Sequence, residues 1–289
     1  MENYNVNEKM TLGQIINNSV ELYKKHFKLL LNISLIFLLP VVILSVFTID
    51  AVTELQQILT NFDPQKFDFS IFKSISIVVY ISIIEAIIFL CYKMVLIKIS
   101  ESIIIGNNPE IKQSILFVLK KFLLILFTNI LMFFMMLFGF ILFIIPGFII
   151  LGMLLFVPQA MMLENKFFFT SFDRSFFVIK KNFWEAVTVP VILYFVYFFI
   201  TMITSSIISA LNFGPSVLDM IKSGEVNETP FLSVNKWVNF ADTFITYIVF
   251  ILITPLIEIA VTMKFINLRN IKEGRGILNA LNTNETNPS

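Results

Sequence analysis

Cysteine and histidine are almost missing from this chain: it has one of each, Cys91 and His26, in 289 residues. A lone thiol excludes an intrachain disulfide and any cysteine cluster for a metal. Cys91 lies in an apolar run, where a thiol acts as a small hydrophobe. A lone histidine, placed just before the first long apolar run, leaves no Ser–His pair for intramembrane proteolysis. It also leaves no HExxH metal helix and no histidine-based lipid phosphatase site. Phosphate-loop and dinucleotide fingerprints are missing as well. The sequence therefore predicts no enzyme, no cofactor and no metal site.

Charge is also scarce. Asp, Glu, Lys and Arg make up 14% of the chain, whereas a soluble domain carries about 25%. The net charge of +1 gives no basic field for nucleic acid, and no such partner is expected. The N-terminal stretch MENYNVNEKMTLGQ is polar and lacks a signal-peptide pattern, so the first apolar segment should be retained as an anchor. What the chain has in quantity is apolar residues, 57% of the total, with a mean hydropathy of +0.86. Its 34 Phe, like its abundant Ile, Lys and Asn, are what AT-rich coding yields and mark no aromatic site.

A helix needs about 20 apolar residues to cross roughly 30 Å of hydrocarbon. Five segments meet this: Phe27–Phe47, Ser74–Ile97, Phe122–Ile145, Glu185–Ala210 and Thr243–Phe265. A sixth, Phe148–Leu163, is short and follows a break at Pro146-Gly147. Its length fits a short span or a re-entrant helix. Counted as a span, it leaves Lys66, Lys73, Lys222 and Lys236 outside and the other 17 of the 21 Lys and Arg at or near the cytoplasmic side. Positive charge is retained inside, and this bias favours counting it. The expected fold is an all-α membrane protein: a six-span helical bundle in the cell membrane, with both termini cytoplasmic. Residues 1–271 form a single transmembrane domain and 272–289 a disordered cytoplasmic tail. The long stretches Asp50–Lys73 and Leu211–Asn239 become outer loops holding short helices or folding over the spans.

One pattern recurs three times. LYKKHF, VLKKF and VIKKNF each close an amphipathic stretch and open an apolar run. The apolar stripes are Leu12, Ile15, Ile16, Val20, Tyr23 and Phe27; Ile111, Ile115, Val118, Leu119 and Phe122; and Phe168, Phe172, Phe176, Ile179 and Phe183. Their spacing of three and four is helical. Thr11 with Gln14 reads as a capping box, and Asn108-Pro109 as a cap followed by Pro in the first turn. These stretches read as three cytoplasmic interfacial amphipathic helices. The pairs Lys24 and Lys25, Lys120 and Lys121, and Lys180 and Lys181 would then meet anionic lipid. The bland reading is that Lys pairs simply set topology.

Ionisable groups inside a span are costly and mark function or packing. Glu85 lies mid-span, eight residues before Lys93, and Glu258 lies six before Lys264. Neither is a neighbour spacing within one helix. Lys93 and Lys264 are expected to snorkel to the cytoplasmic surface. Glu85 should face the interior, either satisfied by Asn32, Asn129 or serines, or serving a transported ligand. Glu164 caps the next helix, or holds it to the bundle through Arg174, ten residues on.

Three stretches resemble a known family. They are TLGQIINNSVELYKKHFKLLLNISLIFLLP, IIPGFIILGMLLFVPQAMMLENKFFFTSFDRSFFVIKKNFW and TPLIEIAVTMKFINLRNIKEG. They look like the membrane domain found beside some glycerophosphodiester phosphodiesterases and as stand-alone bacterial membrane proteins. The central stretch is the most specific, with Pro146-Gly147, Pro158, Glu164, Ser175 and Trp184. Where that family often has Tyr-x-Asp before a Leu-Arg pair, this chain has Phe265-Ile266-Asn267 before Leu268-Arg269. The resemblance implies a fold and a location. It does not imply phosphodiesterase activity, because the catalytic barrel is absent from this sequence.

The function expected is a non-enzymatic integral membrane protein that organises lipids or partner proteins, the partner including a second copy of the chain. The alternative is a transporter or channel for a small polar or lipid-like solute, which broken helices and buried Glu85 and Glu258 would serve.

Overall fold

The computed structural model describes residues 6–60, 70–223 and 236–274. The sequence-predicted tail beyond Gly274, Lys66, and the side chains of Lys222 and Lys236 lie outside those described. Ten α-helices and no strand occur among the described residues. They are α1 (Leu12–Lys25), α2 (Phe27–Thr60), α3 (Ser70–Ile105), α4 (Ile111–Lys120), α5 (Phe122–Leu142), α6 (Ile144–Met153), α7 (Val157–Glu164), α8 (Phe169–Ile179), α9 (Phe183–Ser223) and α10 (Lys236–Lys272).

Six helical stretches are long and apolar enough to cross a membrane: Phe27–Leu55, Ile71–Ile105, Phe122–Leu142, Ile144–Glu164, Phe183–Ala210 and Trp237–Lys272. The chain is an all-α, multi-pass membrane protein. The fourth stretch joins α6 and α7, so the short segment after Pro146-Gly147 is most of a 21-residue apolar stretch that starts at Ile144. Several boundaries differ from expectation. The break falls at Phe143, which is extended at φ −166° and ψ 157°, and not at Pro146-Gly147. Pro146 instead sits in the first turn of α6, where its missing N–H has no partner to lose. The helices α2, α3, α9 and α10 also run well into the stretches read as outer loops. Apolar composition marks where a helix meets lipid, not where its hydrogen bonds stop. α4 starts at Ile111 with Glu110 as an N-cap lacking a side-chain bond, so Asn108-Pro109 does not cap it. The Thr11 box does form, with Gln14 N–H donating to Thr11 Oγ1 at 3.3 Å and Thr11 N–H to Gln14 Oε1 at 2.8 Å.

The chain divides into two compact units. The first holds the described parts of Met1–Ile33, Leu90–Tyr194 and Thr254–Ser289, and the second those of Ser34–Phe89 and Phe195–Ile253. In the first, the C-terminal half of α10 is the core: every residue from 257 to 270 is buried. It touches most elements of that unit. Met263 Sδ accepts from Ser19 of α1, Phe265 meets Phe156 edge-on at 5.5 Å, and Asn267 donates to the carbonyls of Val6 and Glu8. Met10 N–H returns a bond to Asn267 Oδ1. Asn267 thus clamps the strand-free N-terminal segment, and an acid at this position could not donate those bonds.

The α5–α6 pair packs backbone to backbone. A side chain on Gly139 would come within 2.7 Å of Ile150 and 3.2 Å of the Gly147 Cα. Small residues permit such approaches where lipid offers no hydrophobic drive. Between α6 and α7 the helix is interrupted, and Ser175 of α8 bridges the gap. Its Oγ donates to Met153 O at 2.6 Å and accepts from Phe156 N–H at 3.1 Å. This satisfies backbone groups that lipid could not.

In the second unit, aromatic rings join the described helices. Phe89 of α3 packs against Tyr247 and Phe250 of α10, and Tyr197 of α9 meets Phe250. Ser205 donates to Asp242 at 3.0 Å. Many hydroxyls here, such as Thr53, Thr204 and Ser206, turn back to a carbonyl of their own helix.

Candidate functional site

The three Lys pairs sit at three junctions of like sequence. At each, a short helix stops and a long one begins on a Phe: α1 to Phe27, α4 to Phe122 and α8 to Phe183. The residue two before each pair is buried (Leu22, Val118, Val178), as is the one three after each Phe (Leu30, Ile125, Ala186). The same register therefore anchors both sides of each junction. Lys24, Lys25, Lys120, Lys180 and Lys181 are exposed, and Lys121 is half-buried over the Phe167 ring at 5.9 Å.

The buried faces of the short helices are rotated from the apolar stripes read in sequence. α1 buries Ile15, Ser19 and Leu22 while Leu12 is exposed, and α8 buries Ser171, Phe172, Ser175, Val178 and Ile179 while Phe176 is exposed. α4 buries Ser114 and Val118 and leaves Leu119 outside. Serine was the missed signal. α1 and α4 each bury one and α8 buries two, made harmless by a bond to a carbonyl: Ser19 to Ile15, Ser114 to Glu110, Ser171 to Phe168, Ser175 to Met153. Outside the spans, burial raises the Tyr23 hydroxyl and lowers the His26 imidazole, which the Lys25 charge lowers further.

A charged network joins the ends of α7, α8 and α10. Arg174 forks onto Glu164, Nε to Oε2 at 2.6 Å and a terminal nitrogen to Oε1 at 2.7 Å, and also pairs with Glu273. Lys166 reaches the same Glu164 at 3.1 Å and Arg269 reaches it at 3.6 Å. Burial works against the Arg174 charge, but its bonds to Glu164 and Glu273 outweigh that and hold it above its ordinary value. Lys272 donates to the carbonyls of Phe177 and Lys180, the open end of α8. The structure thus brings Glu164 and Arg174 together, with three further charges around them. Pro146 and Gly147 are elsewhere, in the α5–α6 hairpin.

Deeper in the same unit lie two ion pairs between helices. Lys93 of α3 stands 3.6 Å from Glu258 of α10, whose side chain is only 2% exposed. Lys264 of α10 donates to Glu185 of α9 at 3.1 Å, and Lys9 pairs with that carboxylate from the other oxygen at 3.2 Å. Lys264 is 1% exposed, so it does not snorkel. Its partner is on another helix, where spacing along one helix could not reveal it. Asn129 is half-buried and donates to Ile125 O on its own helix at 2.8 Å. Glu85, in the second unit, is half-buried with Oε1 unpartnered.

Several buried polar atoms of the first unit have no hydrogen-bond partner: Ser100 Oγ, Gln159 Oε1, Glu258 Oε2 and Thr262 Oγ1. Glu258 and Thr262 are one turn apart on α10, and Ser100 lies two turns beyond Lys93 on α3. Among the described residues, no three His, Cys, Asp or Glu side chains gather as metal ligands. In comparisons with known proteins, no family model, no curated protein and no solved structure matches the chain.

Proposed function

We propose that this is a non-enzymatic membrane protein that organises lipids, or partner proteins, at the cytoplasmic face of a bacterial cell membrane. In this reading both termini are cytoplasmic, the three short helices lie in the interface, and the chain is akin to the phosphodiesterase-associated membrane domains. The observation that supports it is the threefold junction: a Lys pair, largely exposed, at the base of three long helices, each held by the same buried register. Each lysine near an anionic surface contributes about 1 kcal/mol, or roughly fivefold in lipid preference.

The test uses the full chain in vesicles carrying spin-labelled phosphatidylglycerol or phosphatidylcholine. The motionally restricted fraction should favour the anionic label several-fold. Neutralising the six lysines to Gln should abolish that preference. Equal fractions for the two labels in the unmodified protein would sink the proposal.

A second reading, a carrier of protons or of a small polar solute, rests on the unpartnered Glu258 Oε2 and Thr262 Oγ1. Buried polar atoms of this kind ordinarily hold water or ligand. Glu258→Gln that abolishes a solute or proton flux at unchanged abundance favours it. Lost abundance without a specific flux change favours packing.

A further inference from the structure

The third junction is built differently from the other two. His26 and Lys121 turn the chain with near-helical torsions, φ −108° and ψ 18°, and φ −103° and ψ 8°. At the third, Lys180 is at φ −50° and ψ 127°, and Lys181 takes φ +79°, the left-handed region that a side chain disfavours. Such torsions fit a type II turn, and Asn182 N–H closes it by donating to Ile179 O at 2.9 Å. Lys272 donates to the carbonyls of Phe177 and Lys180 beside it.

A cavity of about 310 Å³ lies beside this turn, between α6, α8 and α9. That volume falls in the range of small-ligand sites, ~300–1,000 Å³. Its walls include Ile149, Met153, Ile179 and Phe183, with Lys180 and Lys181 as the charged lining residues. Trp184, which also lines it, is 80% exposed, as an interfacial aromatic would be. No acid, amide or hydroxyl side chain lines the cavity, so it offers nothing to a sugar, a nucleotide base or a peptide backbone. It offers hydrocarbon walls beside two cations.

We propose that this cavity holds one acyl chain of an anionic phospholipid whose phosphate sits between Lys180 and Lys181. This rests on the lipid-organising reading and narrows it: one junction of three is a stoichiometric site, and the others attract lipid only through charge. Lys272 is a positioning residue that keeps the two cations at the cavity.

The test is native mass spectrometry of the full chain released from detergent with phosphatidylglycerol, phosphatidylcholine or glycerol 3-phosphate. The expected result is one phosphatidylglycerol retained under activation that strips phosphatidylcholine, with no retention of glycerol 3-phosphate. Lys180→Gln with Lys181→Gln should cut that retention roughly fivefold or more. Ile149→Trp, which fills the cavity from an exposed position, should cut it similarly with both lysines intact. Ile149→Phe replaces it if melting shows the Trp variant misfolded. Lys28→Gln with Lys112→Gln, two exposed lysines outside the three pairs, should leave retention unchanged. Losses from that control equal to those from Lys180→Gln with Lys181→Gln overturn the site but leave lipid organisation standing. Retention of glycerol 3-phosphate at the level of the lipid overturns it in favour of a free-anion site. Equal retention of both phospholipids overturns it too, and the spin-label preference then decides the broader reading independently.

Discussion

Hydroxyls in both units close onto carbonyls of their own helix, but among the described residues the units differ in their charges and amides. In the first, charges and amides reach across to other helices: Lys93 to Glu258, Lys264 to Glu185, Arg174 to Glu164, Asn267 to the N-terminal segment. In the second, hydroxyls mostly close onto the carbonyls of their own helix, with Ser205 to Asp242 as a cross-helix bond. The first arrangement specifies which helices are neighbours. The second only makes a polar side chain tolerable in lipid. The difference predicts that the first unit should be the more cooperative and the more easily broken by one substitution.

The two tryptophans allow this to be read unit by unit, since Trp184 lies in the first and Trp237 in the second. Single-Trp variants, with the other changed to Phe, report each separately in thermal melts. The largest effect should come from Glu164→Lys, which leaves Arg174, Lys166 and Arg269 facing a new cation. Breaking a buried pair costs about 3–5 kcal/mol. The Trp184 transition should fall sharply while that of Trp237 moves little, and equal shifts would erase the distinction between the units. The exchange Glu164→Arg with Arg174→Glu should not restore stability, because it sets the new Arg beside Lys166 and Arg269 and the new Glu beside Glu273. Full rescue would show that the pair acts alone.

Next in size is Lys264→Gln, which removes one of two cations from Glu185 and leaves Lys9. A loss of about 1–3 kcal/mol is expected in the Trp184 melt. Its counterpart in the second unit, Ser205→Ala, should cost only about 0.6 kcal/mol in the Trp237 melt. Reversed magnitudes would break the comparison. The smallest effect is one of pH. Burial and Lys25 hold His26 below its ordinary value, so the folded protein resists charging it. Stability of the first unit is then fully present above the unfolded value, about 6.5, and declines as pH falls below it toward the folded value. A modest drop in the Trp184 melt between pH 7.5 and 5 should vanish in His26→Gln.

Much of this architecture could be read from residues alone. The apolar runs that open at Phe27 and Phe122 begin their helices at those residues, because the Lys pair before each one ends the amphipathic pattern there, while α9 begins at Phe183, two residues before the expected Glu185. What escaped was mostly three-dimensional. The partners of Glu258 and Lys264 are on other helices, and a test of spacing along one helix is blind to them. The Phe143 break was hidden because an all-apolar turn carries no Gly, Asn or Asp to announce it, and Phe143 is 74% exposed. The rotation of the short helices escaped because serine, counted as polar, buries itself by bonding to a carbonyl. The left-handed Lys181 has no signature at all, since the three lysine pairs look alike in sequence.

The placement of the first unit's core in α10 also bears on how the protein is made. Of the described helices α10 emerges last from the ribosome, yet residues 257 to 270 are what the earlier helices pack around. Until it arrives, the Arg174–Glu164 and Lys9–Glu185 pairs can already form, but Lys93 has been synthesised without Glu258 and Glu185 without Lys264. Insertion of the final helix is the event that completes the ion pairs of the first unit.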